Sequence, residues 1–161
     1  MQLTREADYA VLAVLEVARN GRMSAAEVAS RQGMSPAFLG KIVGTLAKAG
    51  ILTTRRGVGG GISLARPTSS LTLLEVVEAV QGPFAINQCL SHPGSCSRSD
   101  ECYVYSIWEE AQEGLRSSLN VTIDTILAGK AKRKANSHKA DAHNANSRKV
   151  VEVAVTSGGG N

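Results

Sequence analysis

Along residues 7–18 the apolar positions recur at the period of a helix: Ala7, Val11, Val14 and Ala18 fall on one face, and Asn20-Gly21 ends the run. Thr4 stands where an N-cap belongs, and Glu6 and Asp8 occupy the first turn, where a carboxylate meets the positive end of the helix dipole. Ser24-Ala-Ala-Glu27 has capping-box spacing and predicts a second helix, closed by Gly33 after about two turns. Ser35-Pro36 supplies an N-cap and a proline at the first position of a third helix. That helix carries Phe38, Leu39, Ile42, Val43 and Leu46 on its apolar side and stops at Gly50. The pattern then changes to two strand-like runs, Ile51–Arg56 and Ile62–Ala65, around the loop Gly57-Val-Gly-Gly-Gly61. Two short helices across a tight glycine turn form a helix-turn-helix, and the hairpin behind them makes it a winged helix.

Thr72-Leu-Leu-Glu75 is a further capping box, opening a helix that Gly82-Pro83 ends. A longer helical pattern runs from about Tyr103 to Leu127, its stripe Val104, Trp108, Ala111, Leu115, Ser118/Leu119, Thr122 and Ile126 stepping by four and three. A helix of about 25 residues spans roughly 37 Å, more than a small front domain covers. Its heptad-like stripe predicts pairing with a second chain. The expected fold is therefore mostly α: a winged helix-turn-helix over 1–82, three helices plus a β-hairpin wing, then a cysteine loop over 83–102 and a long dimerisation helix over 103–128. Residues 129–161 are mostly Lys, Ala, Asn, Ser and His until Val150, and are expected to form a disordered basic tail.

Charge sharpens this division. Residues 1–80 carry nine Lys/Arg against six acids, residues 81–128 two against six, and residues 129–161 seven against two. The basic front half suits a polyanion partner, although its excess is mild. No apolar run approaches the roughly 20 residues that span a bilayer, and the opening Met-Gln-Leu-Thr-Arg-Glu lacks the apolar core of a signal peptide. A cytoplasmic chain with no membrane partner is the expectation.

In a winged helix the third helix enters the major groove, while Arg55 or Arg56 on the wing reaches phosphate or the minor groove. Gly59 and Gly60 let the wing backbone approach the sugar-phosphate chain closely. The rival reading of the glycine loop, a nucleotide cradle, needs glycine where Ile62 stands and a helix after it, and no lysine completes a phosphate loop. With no Cys-x-x-Cys and no catalytic triad either, the chain reads as a DNA-binding protein with no small-molecule substrate, not as an enzyme.

All three cysteines, Cys89, Cys96 and Cys102, lie between the last two predicted helices as Cys-x6-Cys-x5-Cys. Thiolates grouped on a loop suit a soft metal or an iron–sulfur cluster. Zinc with His92 as fourth ligand, or a thiol switch, remain open on spacing alone.

Several segments together resemble one family. They are Met1-Gln-Leu-Thr-Arg-Glu-Ala-Asp-Tyr-Ala-Val11, Ser35-Pro-Ala-Phe-Leu39, the glycines before the return strand, and the three-cysteine loop ahead of a long helix. Over residues 1 to 128 the chain is similar to the Rrf2 family of bacterial winged-helix regulators, which includes IscR-, NsrR- and RirA-like iron–sulfur sensors. The resemblance implies a homodimer on a pseudo-palindromic double-stranded DNA operator, acting as a repressor, with a cluster on Cys89, Cys96 and Cys102. IscR-like members have a histidine three residues after the last cysteine, where this chain has Tyr105. NsrR-like members use an aspartate on the first helix of the partner subunit, a position that Asp8 matches, and this favours a 4Fe–4S over a 2Fe–2S cluster. For DNA readout the resemblance points to Ser35, Ala37, Gly40, Lys41 and Arg56, with a larger polar residue in IscR-like members where Gly40 stands. The alternative is a winged-helix regulator without a cluster, signalled through zinc, thiol redox or a protein partner.

Overall fold

A computed structural model describes residues 3–57, 59–92, 94–96 and 101–129. The expected tail lies, from residue 130 onward, outside the described residues. In chain order the elements are α1 (Arg5–Asn20), α2 (Ala25–Arg31), α3 (Pro36–Lys48), β1 (Leu52–Arg55), β2 (Gly61–Leu64), a 3-10 turn (Thr68–Ser70), α4 (Leu73–Gln81), α5 (Gln88–Ser91), α6 (Tyr105–Leu119) and α7 (Ile123–Leu127).

The helix starts follow their capping residues. Thr4 Oγ1 accepts from the Ala7 N–H at 3.1 Å, and Ser35 Oγ accepts from the Phe38 N–H at 3.3 Å ahead of Pro36. Ser24–Glu27 and Thr72–Glu75 form both halves of a capping box, the carboxylate returning to the cap N–H at 2.8 Å in each case. Each device satisfies backbone donors that a helix start leaves without a partner, an effect worth about 1 kcal/mol. Gly33 and Gly50 close α2 and α3 with φ of +62° and +69°, the left-handed conformation that glycine adopts without steric penalty.

α1 buries Ala7, Ala10, Ala13, Val14 and Val17, small residues that let it pass close to α3, α4 and β2. α3 contributes Leu39, Ile42, Val43 and Leu46 to the same core. Burying a Leu or Ile side chain contributes about 1.5–3 kcal/mol, so α3 is held by its inner face and leaves its outer face free for other work. β1 and β2 pair antiparallel, Leu52 opposite Leu64 and Arg55 opposite Gly61. A third stretch joins them: Met23 and Ile62 exchange backbone hydrogen bonds of 3.0 and 2.7 Å, which pins the hairpin to the turn between α1 and α2.

The expected single helix over 103–128 is two. α6 stops at Asn120, whose ψ of 45° leaves the helical region, and Thr122 is extended ahead of α7. The run Val121-Thr122-Ile123 is β-branched throughout and stiff in a helix. Here it pairs with residues 71–73 instead: the Leu73 N–H donates to Val121 O at 2.9 Å and the Ile123 N–H to Leu71 O at 2.8 Å. Ile123 and Leu71 are fully buried together in the winged-helix core. The segments 1–82, 83–102 and 103–128 thus belong to one compact unit, Met1–Lys130. No helix among the described residues is long and apolar enough to cross a membrane.

Candidate nucleic-acid interface and thiol segment

Packing Leu39, Ile42, Val43 and Leu46 inward turns Ser35, Ala37, Gly40 and Lys41 outward, with Gly44 and Lys48 continuing the exposed face. A Cβ placed on Gly40 or Gly44 meets no atom within 4 Å, so nothing inside the chain requires glycine there. The wing differs. Arg55 and Arg56 are exposed at the end of β1, and the Gly60 N–H donates to Gly57 O at 2.9 Å to close the turn. A Cβ on Gly60 would stand 2.3 Å from Arg55 O, and one on Gly61 2.5 Å from Met23 O. Gly60 is therefore demanded by the wing's own backbone and Gly61 by the backbone of Met23 between α1 and α2, while Gly59, with φ of +73° and open space around it, is required by the turn. The register with Met23 that explains Gly61 is a long-range pairing that no local motif announces.

Among the described residues the ion pairs engage Arg31 with Glu16, Lys41 with Glu6, Arg66 with Glu75 and Arg116 with Glu78. Arg55 and Arg56 are in none of them, so the wing presents two uncompensated guanidinium groups. Glu6 is a residue whose link to this surface sequence reasoning missed: its carboxylate lies 3.5 Å from Lys41 Nζ. Glu75 is held below the ordinary carboxylate range; partial burial pushes it up, but the Thr72 N–H and the Arg66 guanidinium outweigh that.

The thiols stand on a different part of the molecule's chain. Cys89 is half-buried in α5, where the sequence predicts a loop; Cys96 is exposed; Cys102 is half-buried just ahead of α6. Asp8 is exposed on α1, and His92 is exposed at the end of α5. Among the described residues no three His, Cys, Asp or Glu side chains gather closely enough to hold a metal ion. The donor chemistry, three thiols and a carboxylate, fits a cluster.

The base of the thiol segment is fixed firmly. Glu78 Oε1 accepts from the Phe84 N–H at 2.9 Å and from Arg116 Nη1 at 2.5 Å, while Gln112 Oε1 accepts from the Ile86 N–H at 3.2 Å. Residues 84–86 are thereby tied to α4 on one side and α6 on the other. α6 itself buries nothing: Val104, Ile107, Trp108 and Leu115 are exposed, and Tyr103 ahead of it is 97% exposed. A large apolar stripe open to water marks an interaction surface.

A helix with an exposed face of small and basic residues, beside a hairpin whose two arginines enter no ion pair among the described residues, defines a winged-helix DNA-binding protein. The comparisons place it further. The Rrf2 family, described as an iron-dependent transcriptional regulator, matches residues 3–129. The HTH-type transcriptional regulator IscR of Klebsiella pneumoniae is 35% identical over 131 residues, covering 79% of this chain and 80% of its own length. IscR of Escherichia coli O1:K1 is 33% identical over the same shares. Among solved structures, T. potens IscR superposes with a TM-score of 0.62 at 22% identity, covering 87% of this chain and 96% of that one. CymR, the global cysteine regulator of B. subtilis, superposes with 0.66 at 17% identity, covering 80% and 97%. The chain belongs to the Rrf2 family; it is a transcriptional regulator of the IscR type, not an enzyme.

Proposed function

We propose that the protein works as a homodimeric repressor whose DNA affinity is set by an iron–sulfur cluster on Cys89, Cys96 and Cys102, with Asp8 of the partner subunit as the fourth ligand. The observation that carries this reading is the pair of ties at residues 84–86, which bind the base of the thiol segment to both α4 and the apolar-faced α6. A bound cluster supplies a link that loss of iron, oxidation or nitric oxide removes. The chain's own residues do the rest. The three thiolates hold their segment in one conformation, Glu78 and Gln112 pass that conformation to α6, and the stripe Val104, Ile107, Trp108 and Leu115 pairs the two chains. Ser35, Ala37, Gly40 and Lys41 on α3 read the major groove, with Arg55, Arg56, Gly59 and Gly60 on the wing at the backbone. Because half-sites recur about one DNA turn apart, a shift of a few ångströms between the two α3 helices is enough to break the match.

Anaerobic purification with a visible spectrum, iron and sulfide counts and native mass spectrometry tests this. Equal iron and sulfide on a dimer is the expected result, with a four-iron mass. The similarity in fold to a cysteine regulator favours one second reading, a cluster-free regulator signalled by thiol redox, zinc or a protein partner. Colourless protein that gains no cluster on reconstitution selects that reading instead.

A further inference from the structure

The first turns of α1 and α3 meet along a seam with one charged and one aromatic contact. Glu6 and Tyr9 stand three residues apart on α1, and Phe38 and Lys41 three apart on α3, so each pair shares a helix face. Across the seam the Tyr9 and Phe38 rings meet edge to face with centroids 5.6 Å apart, which fixes the two helices against each other. Glu6 Oε1 then lies 3.5 Å from Lys41 Nζ, whose side chain remains 69% exposed. An open cleft of about 470 Å³ runs along this seam, and its walls include Arg5, Glu6 and Ser35. Arg5 is in none of the ion pairs among the described residues.

We infer that the first turn of α1 belongs to the DNA-reading surface, where Glu6 is a specificity-determining residue acting through Lys41 and Arg5 is a phosphate contact. The inference rests on the reading of α3 as the groove helix. An exposed lysine finds phosphate on any sequence, so by itself it raises affinity without discrimination. A carboxylate beside it opposes that, because it holds the ammonium in an ion pair that phosphate must displace. Exposed ion pairs are weak, between zero and about 1 kcal/mol, so Lys41 exchanges Glu6 for DNA only where the rest of α3 fits the groove. Specificity is a difference of affinities, and a repulsive element against the wrong sequence contributes to it as directly as an attractive one does for the right sequence. Arg5, on the same cleft as Ser35, has no such restraint and adds affinity on all sequences alike.

The two neighbours therefore act with opposite sign, which a merely structural role does not produce. The full chain is titrated with a duplex it selects from a random pool and with a scrambled duplex of equal length, over a range of salt. Glu6→Gln should tighten binding to the scrambled duplex roughly three- to tenfold with little gain on the selected one, and steepen the salt slope toward the ~0.9 per phosphate contact of each subunit. Arg5→Gln should weaken both alike and flatten the slope by about the same amount. The Glu6 effect should vanish in the Lys41→Gln background, and thermal midpoints should stay put. If Lys41→Gln and Arg56→Gln leave affinity and slope unchanged, the groove reading itself fails and takes the inference with it. If those two weaken binding while Glu6→Gln and Arg5→Gln change neither ratio nor slope, the inference alone is overturned. A Glu6 effect that survives in the Lys41→Gln background overturns it too.

Discussion

Gly40→Ala separates what α3 does for the fold from what it does on DNA. Glycine inside a helix is about 0.8–1.0 kcal/mol less favourable than alanine. An added Cβ at Gly40 meets nothing within 4 Å, so no packing penalty offsets the gain. The substitution should stabilise the chain by about 1 kcal/mol, a rise in thermal midpoint of roughly 3–6 °C for a domain of this size. The same methyl stands on the outward face beside Lys41, where a groove would close on it. Loss of close backbone approach there should weaken operator binding about tenfold, or ~1.4 kcal/mol. Thermal unfolding by circular dichroism and fluorescence anisotropy on the selected duplex read the two effects from one preparation. A lowered midpoint would refute the packing argument. A raised midpoint with unchanged affinity would refute the placement of this face against DNA.

Other outcomes follow from the same geometry. Because the carboxyl of Glu75 is held below its ordinary value of 4.5, its contribution to stability is full above that pH and lost as pH falls through the depressed value; acid titration of Glu75→Gln should show a flatter loss of stability on that limb. Glu78→Ala leaves the Phe84 N–H and Arg116 without their shared acceptor, which should cost about 1–3 kcal/mol and speed hydrogen exchange at Phe84 and Ile86, seen by mass spectrometry. Gly61→Ala drives a Cβ to 2.5 Å from Met23 O at a φ of +140°, so it should lose about 2 kcal/mol or more and release the wing, read as a lower thermal midpoint with loss of protection at Ile62.

What the sequence disclosed was what local chemistry decides. Thr4, Ser24, Ser35-Pro36 and Thr72 each place a helix start through a hydrogen bond made within three residues, and each start lies where those residues put it. The outward set Ser35, Ala37, Gly40 and Lys41 followed from the same helix period that buries Leu39, Ile42, Val43 and Leu46. Long-range pairing was hidden. Val121-Thr122-Ile123 reads as a continuing apolar step of a long helix until the backbone of Leu71–Leu73 offers it a partner. Met23 carries no mark of its bridge to Ile62, nor Gly61 of its closeness to Met23. Glu6 looked like a first-turn acid serving the helix dipole, and only the crossing of α1 over α3 sets it beside Lys41. For the thiols, spacing gave the candidate donors, and among the described residues no three of them gather.

The central claim is that the three thiols govern DNA binding. The most direct measurement is the affinity for the selected duplex of anaerobically purified protein, before and after removal of its iron, alongside Cys102→Ala and Asp8→Ala. The account predicts that iron removal and both substitutions change affinity in the same direction and to a similar extent, with the chain still folded. Equal affinity across all four would contradict it.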